Sequence, residues 1–150
     1  MSQKIIRNEI IINAPADRVW KTLTDAEETK KYMYGCGAIS DWEPGSTLLW
    51  KGVFDGQELV AVKGTVLDIM QGSYLAYTTF DPNNTAIADL PENYLTVTYT
   101  LSEAPGGTLL VVTQGDYSTV AEGDKRYNDA VNAGGWSSIL SEIKKVAEEV

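Results

Sequence analysis

The chain has no histidine and a single cysteine, Cys36, among its 150 residues. The first absence removes His-based triads, His–Cys dyads and His-ligated metal sites. The second excludes an intrachain disulfide and leaves too few ligands for a structural zinc, so no metal and no cofactor is expected. Basic residues are scarce as well: 12 Lys and Arg against 21 Asp and Glu give a formal net charge of −9. A surface of that sign repels phosphate backbones and anionic bilayers, so neither nucleic acid nor membrane is an expected partner. The pairs Lys30-Lys31 and Lys144-Lys145 read as helix-surface charge. No apolar run approaches the roughly 20 residues that span a bilayer. The opening MSQKIIRNEIII alternates with polar residues and has no small-residue cleavage site. It therefore reads as a strand, and a cytoplasmic location is the default expectation. With no repeat, low-complexity tract or linker, 150 residues suit one domain, 1–150, with its own core.

What is present is a strand-rich pattern with legible turns. Lys4 to Ile12 alternates and then turns apolar, as an opening strand does. Pro15 then favours a first helical turn, and Val19, Trp20 and Leu23 form one apolar stripe. Thr24 or Asp25 caps a second short helix, DAEETKKYMY, acidic early and basic late. The turn DWEPGS leads into the strand TLLWKGVF, and Asp55-Gly56 marks a tight hairpin into ELVAVKGTVLDI. YLAYTTF and YLTVTYTL are further strands, separated by the polar segment Asp81 to Asn93 with its two prolines. In the second of these, Leu95, Val97, Tyr99 and Leu101 share one face and three threonines the other. LLVVTQGDY follows a Gly-Gly turn. From Ala121 to Glu149 the pattern is helical, with Trp136, Leu140, Ile143 and Ala147 on one face. Two adjacent glycines, Gly134 and Gly135, interrupt it at a cost of roughly 1 kcal/mol each. A run of antiparallel strands with segregated helices is an α+β pattern, and the final helix is the element long enough to cover the sheet.

The segments INAPADRVWKTLTD, DWEPGS, GTVLDI, LAYTTF, GTLLVVTQGDY and GGWSSILSEIKKVAE occur in this order over nearly the whole chain. Together they resemble the START-like, or SRPBCC, superfamily, and more closely its subgroup named for the activator of the heat-shock-protein-ninety ATPase. The chain departs from that pattern at Ser46, where relatives often have glycine, and at Gln114, where they vary. The resemblance implies a single START-like domain with the helix-grip fold. A curved antiparallel sheet then wraps around a long C-terminal helix, with two short helices after strand one. It also implies a cavity between sheet and helix that takes a small hydrophobic or amphipathic molecule.

By register with that family, Leu75, Tyr77 and Thr79 face the cavity from one strand, Val97 and Tyr99 from the next, and Leu110, Val112 and Gln114 from the last. Asp116 is a further inward candidate. Tyr127 and Val131 border the cavity from the long helix, ahead of the Trp136 face. Either Trp50 or Lys51 faces in. The segment Asp81 to Asn93 is a rim or lid, or a plain connector. Gly134 and Gly135 mark a close approach of helix to sheet or ligand. No catalytic constellation emerges. Glu58 and Asp68 read as surface groups, the tyrosines are weak acids, and no histidine activates Cys36. The leading expectation is a binding protein for a small apolar ligand, monomeric or homodimeric. A cyclase- or hydrolase-like enzyme of the same superfamily and a chaperone-interaction module are the alternatives.

Overall fold

The structure is a computed structural model that describes residues 3–149. Met1, Ser2 and Val150, included in the 1–150 domain expected from sequence, lie outside the described residues. Seven strands form one antiparallel sheet: β1 (Ile6–Ile12), β2 (Gly37–Ser40), β3 (Thr47–Phe54), β4 (Gln57–Met70), β5 (Tyr74–Thr79), β6 (Leu95–Ala104) and β7 (Gly107–Gly115). Their spatial order is β1-β7-β6-β5-β4-β3-β2. Sequential hairpins build the sheet from β2 to β7, and β1 then closes on the far side of β7. At the β3–β4 turn Asp55 and Gly56 have φ of 51° and 79°, the left-handed pair that a two-residue hairpin requires.

Helices α1 (Ala16–Thr24) and α2 (Ala26–Thr29) follow β1. Asp25 caps α2 by accepting from the Glu27 N–H at 2.9 Å. The second helix is much shorter than the Asp25–Tyr34 span expected, because the chain turns at Lys30 and reaches Tyr34 and Gly35 with positive φ. That turn leads into β2, an edge strand too short for its alternation to stand out in the sequence.

The C-terminal helical segment is present, in two pieces: α3 (Gly123–Asn132) and α4 (Ser137–Glu148). The glycines make the break. Gly135 N–H donates to Ala130 O at 2.9 Å and Gly134 N–H to Val131 O at 3.0 Å, the paired bonds of a Schellman C-cap. Gly134 and Gly135 take φ of +91° and +61°, which L side chains adopt only with strain. A Cβ on Gly135 would stand 2.5 Å from Asn8 Oδ1 and 2.9 Å from Ile6 Cγ2. The close approach read from sequence is therefore to β1. Asn8 in turn accepts from the Trp136 N–H at 3.0 Å and so fixes where α4 begins.

From there α4 runs alongside β1. Lys144 donates to Ile11 O, and Asn13 N–H donates to Glu148 at 2.8 Å. Arg18 of α1 clamps the far end of α4. It donates to Val146 O at 2.6 Å and Ala147 O at 3.1 Å, and to Glu28 Oε1 at 2.9 Å. A cation at a helix C-terminus satisfies orphan carbonyls and complements the dipole. Leu140, Ile143, Val146 and Ala147 are buried in one core with Val19, Leu23, Leu75, Tyr99, Leu101, Leu110 and Val112.

Candidate functional site

Side chains on one face of adjacent strands line up in rows across a sheet. Register places Ile6, Gln114, Val97 and Tyr77 in one such row over β1, β7, β6 and β5. The next row toward α4 is Asn8, Val112, Tyr99 and Leu75, and a third holds Ile10, Leu110 and Leu101. Because Trp136 is tied to Asn8, α4 begins at the second row and runs away from the first. The first row is left to the shorter α3, and a cavity of about 430 Å³ lies there.

Sheet residues Ile6, Gln114, Val97, Tyr77, Leu95 and Thr79 line the cavity, with Trp50, Ala61 and Val62 from β3 and β4. Arg126 and Ala130 of α3, Gly135 and Trp136 at the junction, and Ile139 of α4 form the opposite wall. Met33, Tyr34, Cys36, Phe54, Phe80 and Asp81 complete it. Tyr34, 77% exposed, and the partly exposed Phe54 stand at its mouth. A volume of this size falls in the range of small-molecule sites, roughly 300–1,000 Å³.

The aromatic side chains form a connected wall. Trp50 and Tyr77 have ring centroids 6.3 Å apart, Tyr77 and Tyr99 5.5 Å, and Tyr99 and Trp136 5.9 Å. The last two pairs meet edge to face, the favourable arrangement for aromatic quadrupoles. The Tyr77 and Tyr99 hydroxyls share a hydrogen bond of 2.7 Å. Burial pushes both phenols well above the ordinary tyrosine range, so both stay neutral. Burial also pushes the Cys36 thiol up, which suppresses the thiolate needed for nucleophilic chemistry. Trp136 Nε1–H donates to Gln114 Oε1 at 2.8 Å.

The residues expected from sequence divide by row. Tyr77, Thr79, Val97 and Gln114 line the cavity. Tyr99 lies one row below, beneath Trp136, and Leu75, Leu110 and Val112 are fully buried core. Tyr127 packs against Tyr117, with centroids 5.7 Å apart, and Val131 is 49% exposed. Arg126 and Ala130, each one position earlier, are the α3 residues that reach the cavity, because the break at Gly134 resets the helical phase. Trp50 faces in, whereas Lys51 turns toward Glu58 at 4.0 Å. A register shift between these two residues is why alternation alone did not decide the matter. Asp116 does not face the cavity. It caps the turn at Tyr117–Thr119, accepting from Lys4 N–H, Ser118 N–H and the Ser118 hydroxyl. Those bonds hold its carboxyl below the usual range.

The segment from Asp81 to Asn93 is tethered. Asn93 accepts from the Ala121 N–H at 3.0 Å and donates to Ala88 O at 2.9 Å. Phe80 and Tyr94 stack with centroids 4.8 Å apart. Tyr94 donates to Asp89, which also pairs with Lys63. Of this segment, Asp81 reaches the cavity.

A family model for activator of Hsp90 ATPase homolog 1-like proteins matches residues 13–148. The chain belongs to that family. A solution structure of a protein from Cytophaga hutchinsonii is 36% identical, with a TM-score of 0.73, over 99% of this chain and 97% of that one. The Aha1 dimer from Colwellia psychrerythraea is 18% identical, with a TM-score of 0.69, over 96% of this chain and 93% of its own. A crystal structure from Chromobacterium violaceum is 19% identical, with a TM-score of 0.70, over 98% and 99% of the two chains. The latter two likenesses speak to the fold. No protein of curated function matches the chain. The α+β helix-grip architecture expected from sequence is thus the architecture of the family. No helix among the described residues is long and apolar enough to cross a membrane.

Proposed function

We propose that this family member is a binding protein for a small apolar or amphipathic molecule, held between the sheet and the C-terminal helices. The observation that carries the reading is the row Ile6–Gln114–Val97–Tyr77, which faces about 430 Å³ of space beneath α3. Its walls are aromatic and aliphatic, with a few placed polar groups, the usual make-up of a ligand pocket. In this reading the ligand-binding residues are Tyr77, Thr79, Val97 and Gln114, joined by Trp50, Trp136, Arg126 and Ala130. Leu75, Tyr99, Leu110 and Val112 support the floor.

Native mass spectrometry of protein purified from its own host tests the proposal, alongside thermal-shift measurements across a lipid and polyketide panel. A co-purifying apolar molecule, or a raised melting temperature with one ligand class, supports it. No adduct and no shift with any compound would sink it. The enzymatic alternative calls for a carboxylate coupled to a cavity tyrosine. Tyr77, the buried tyrosine of the lining, pairs instead with Tyr99, and the Tyr94–Asp89 bond lies outside the cavity. A cytoplasmic location, a single domain and a monomeric or homodimeric state belong to the same proposal. The dimeric relative from Colwellia makes sedimentation the direct check on the last point.

A further inference from the structure

We propose that Gln114 and Arg126, which both line the cavity, form a polar pole and that the ligand is an amphiphile carrying a carboxylate there. The inference rests on the cavity-binding reading above and specifies its ligand class. It begins with the orientation of one amide. An indole N–H can only donate, so the Gln114 atom 2.8 Å from Trp136 Nε1 is the carbonyl oxygen. The amide NH₂ is then directed away from Trp136, on a residue that lines the cavity. Among the described residues no acceptor engages it. That donor is open to the cavity, where an acceptor on a ligand can meet it.

The second observation is Arg126, which reaches the same cavity from α3. Its Nη1 donates to Ala121 O at 3.2 Å. No carboxylate among the described residues pairs with it, although the chain carries nine more acidic than basic residues. In so acidic a protein, a cation left without a partner beside an apolar cavity favours an anionic end group there. Guanidinium geometry matches carboxylate in particular. Thr79 adds a hydroxyl to the lining on the β5 side. The one acidic lining residue, Asp81, is exposed at the rim, and its Oδ1 accepts from the Asn83 N–H at 2.8 Å. The other walls, Trp50, Val62, Val97 and Ile139, take the apolar body.

Three probes of equal chain length separate the ligand class from the cavity itself: decanoate, decanol and decyltrimethylammonium, each below its aggregation threshold. Emission of the cavity-lining Trp50 and Trp136 reports binding. Decanoate is expected to bind the wild-type chain about tenfold tighter than decanol, as a charge-assisted hydrogen bond allows, with the ammonium probe weakest. Gln114→Glu keeps an acceptor for Trp136 while replacing the cavity-facing donor with negative charge. It should weaken decanoate by tenfold or more and lower the decanoate-to-decanol affinity ratio. Arg126→Met should reduce the decanoate-to-decanol affinity ratio, and Asp81→Asn should raise decanoate affinity. Equal wild-type affinity for decanoate and decanol, or unchanged decanoate binding in Gln114→Glu, overturns the polar pole and leaves the cavity reading intact. Binding of none of the three probes overturns both.

Discussion

Along β1 the sheet is covered in two ways. From Asn8 onward α4 lies against it, and the rows containing Tyr99 and Leu110 are sealed by Leu140, Ile143 and Ala147. Before Asn8 the cover is α3, which buries none of its own residues. The strands are the same and the register is continuous, so the difference comes from the helix layer. Two left-handed glycines end one helix and a tryptophan tied to β1 begins the next. The sealed end holds the fold together, and the other end is free to hold something else.

The strongest way to break this comparison is to remove the residue that belongs to both ends. Trp136→Ala deletes the side chain over Tyr99 and the partner of Gln114. It should destabilise the protein by about 3–5 kcal/mol in denaturant unfolding. An unchanged midpoint would mean that the floor of the cavity does not depend on it. Next comes the clamp at the far end of α4. Arg18→Ala frees two helix-terminal carbonyls and leaves Glu28 with one of its two cations, Lys31, for an expected loss of about 2 kcal/mol.

The same clamp predicts a pH dependence. The Arg18 hydrogen bond, with help from Lys31, holds the Glu28 carboxyl below its ordinary value of 4.5. A depressed carboxylate pKa stabilises the fold above the unfolded value, and that stabilisation fades as pH falls through the folded one. Wild-type protein should therefore lose stability on acidification below about pH 4.5 more steeply than Glu28→Gln. Matching acid limbs would argue that the pair contributes nothing.

A matched pair of enlargements sharpens the contrast between the two ends. Ala147→Leu inserts volume into the sealed end, where Ala147 is 2% exposed, and should cost about 1–3 kcal/mol. Ala130→Leu puts the same volume into the cavity and should change stability by no more than about 0.5 kcal/mol, while weakening ligand binding. Equal costs would mean that the α3 end is packed as tightly as the α4 end. The smallest effect is expected at Val131→Ser, on the exposed side of α3, where stability should stay within about 0.5 kcal/mol.

Much of this was legible in the sequence, for identifiable reasons. Alternation in YLTVTYTL gave the inward face of β6, and Asp55-Gly56 gave the β3–β4 hairpin, because both signals are local. Which inward residues meet space and which meet a helix is not local. It depends on where α4 starts, and that is set by a contact between Trp136 and Asn8, 128 positions apart. Reading one continuous helix carried the phase through Gly134 and placed Tyr127 and Val131 at the cavity instead of Arg126 and Ala130. The lining from Met33, Tyr34 and Cys36 had no periodic signature, since those residues lie in turns. Phe54, Ala61 and Val62 were missed because sheet curvature brings β3 and β4 around toward the helices.

The position of β1 bears on how the chain assembles. Strands β2 to β7 join through hairpin neighbours and a longer link between β5 and β6, so most of their pairings form within nearby sequence. β1 pairs with β7, and Lys4 meets Asp116 across 112 positions. During synthesis the first strand therefore cannot meet its partner until the last strand has been made. Non-local closure of this kind slows folding, because the loop entropy is lost before the contacts are gained. The waiting strand is an open edge meanwhile. Docking of β1 also supplies Asn8, without which the junction at Trp136 lacks its anchor, so the cavity cannot take shape before β1 has docked.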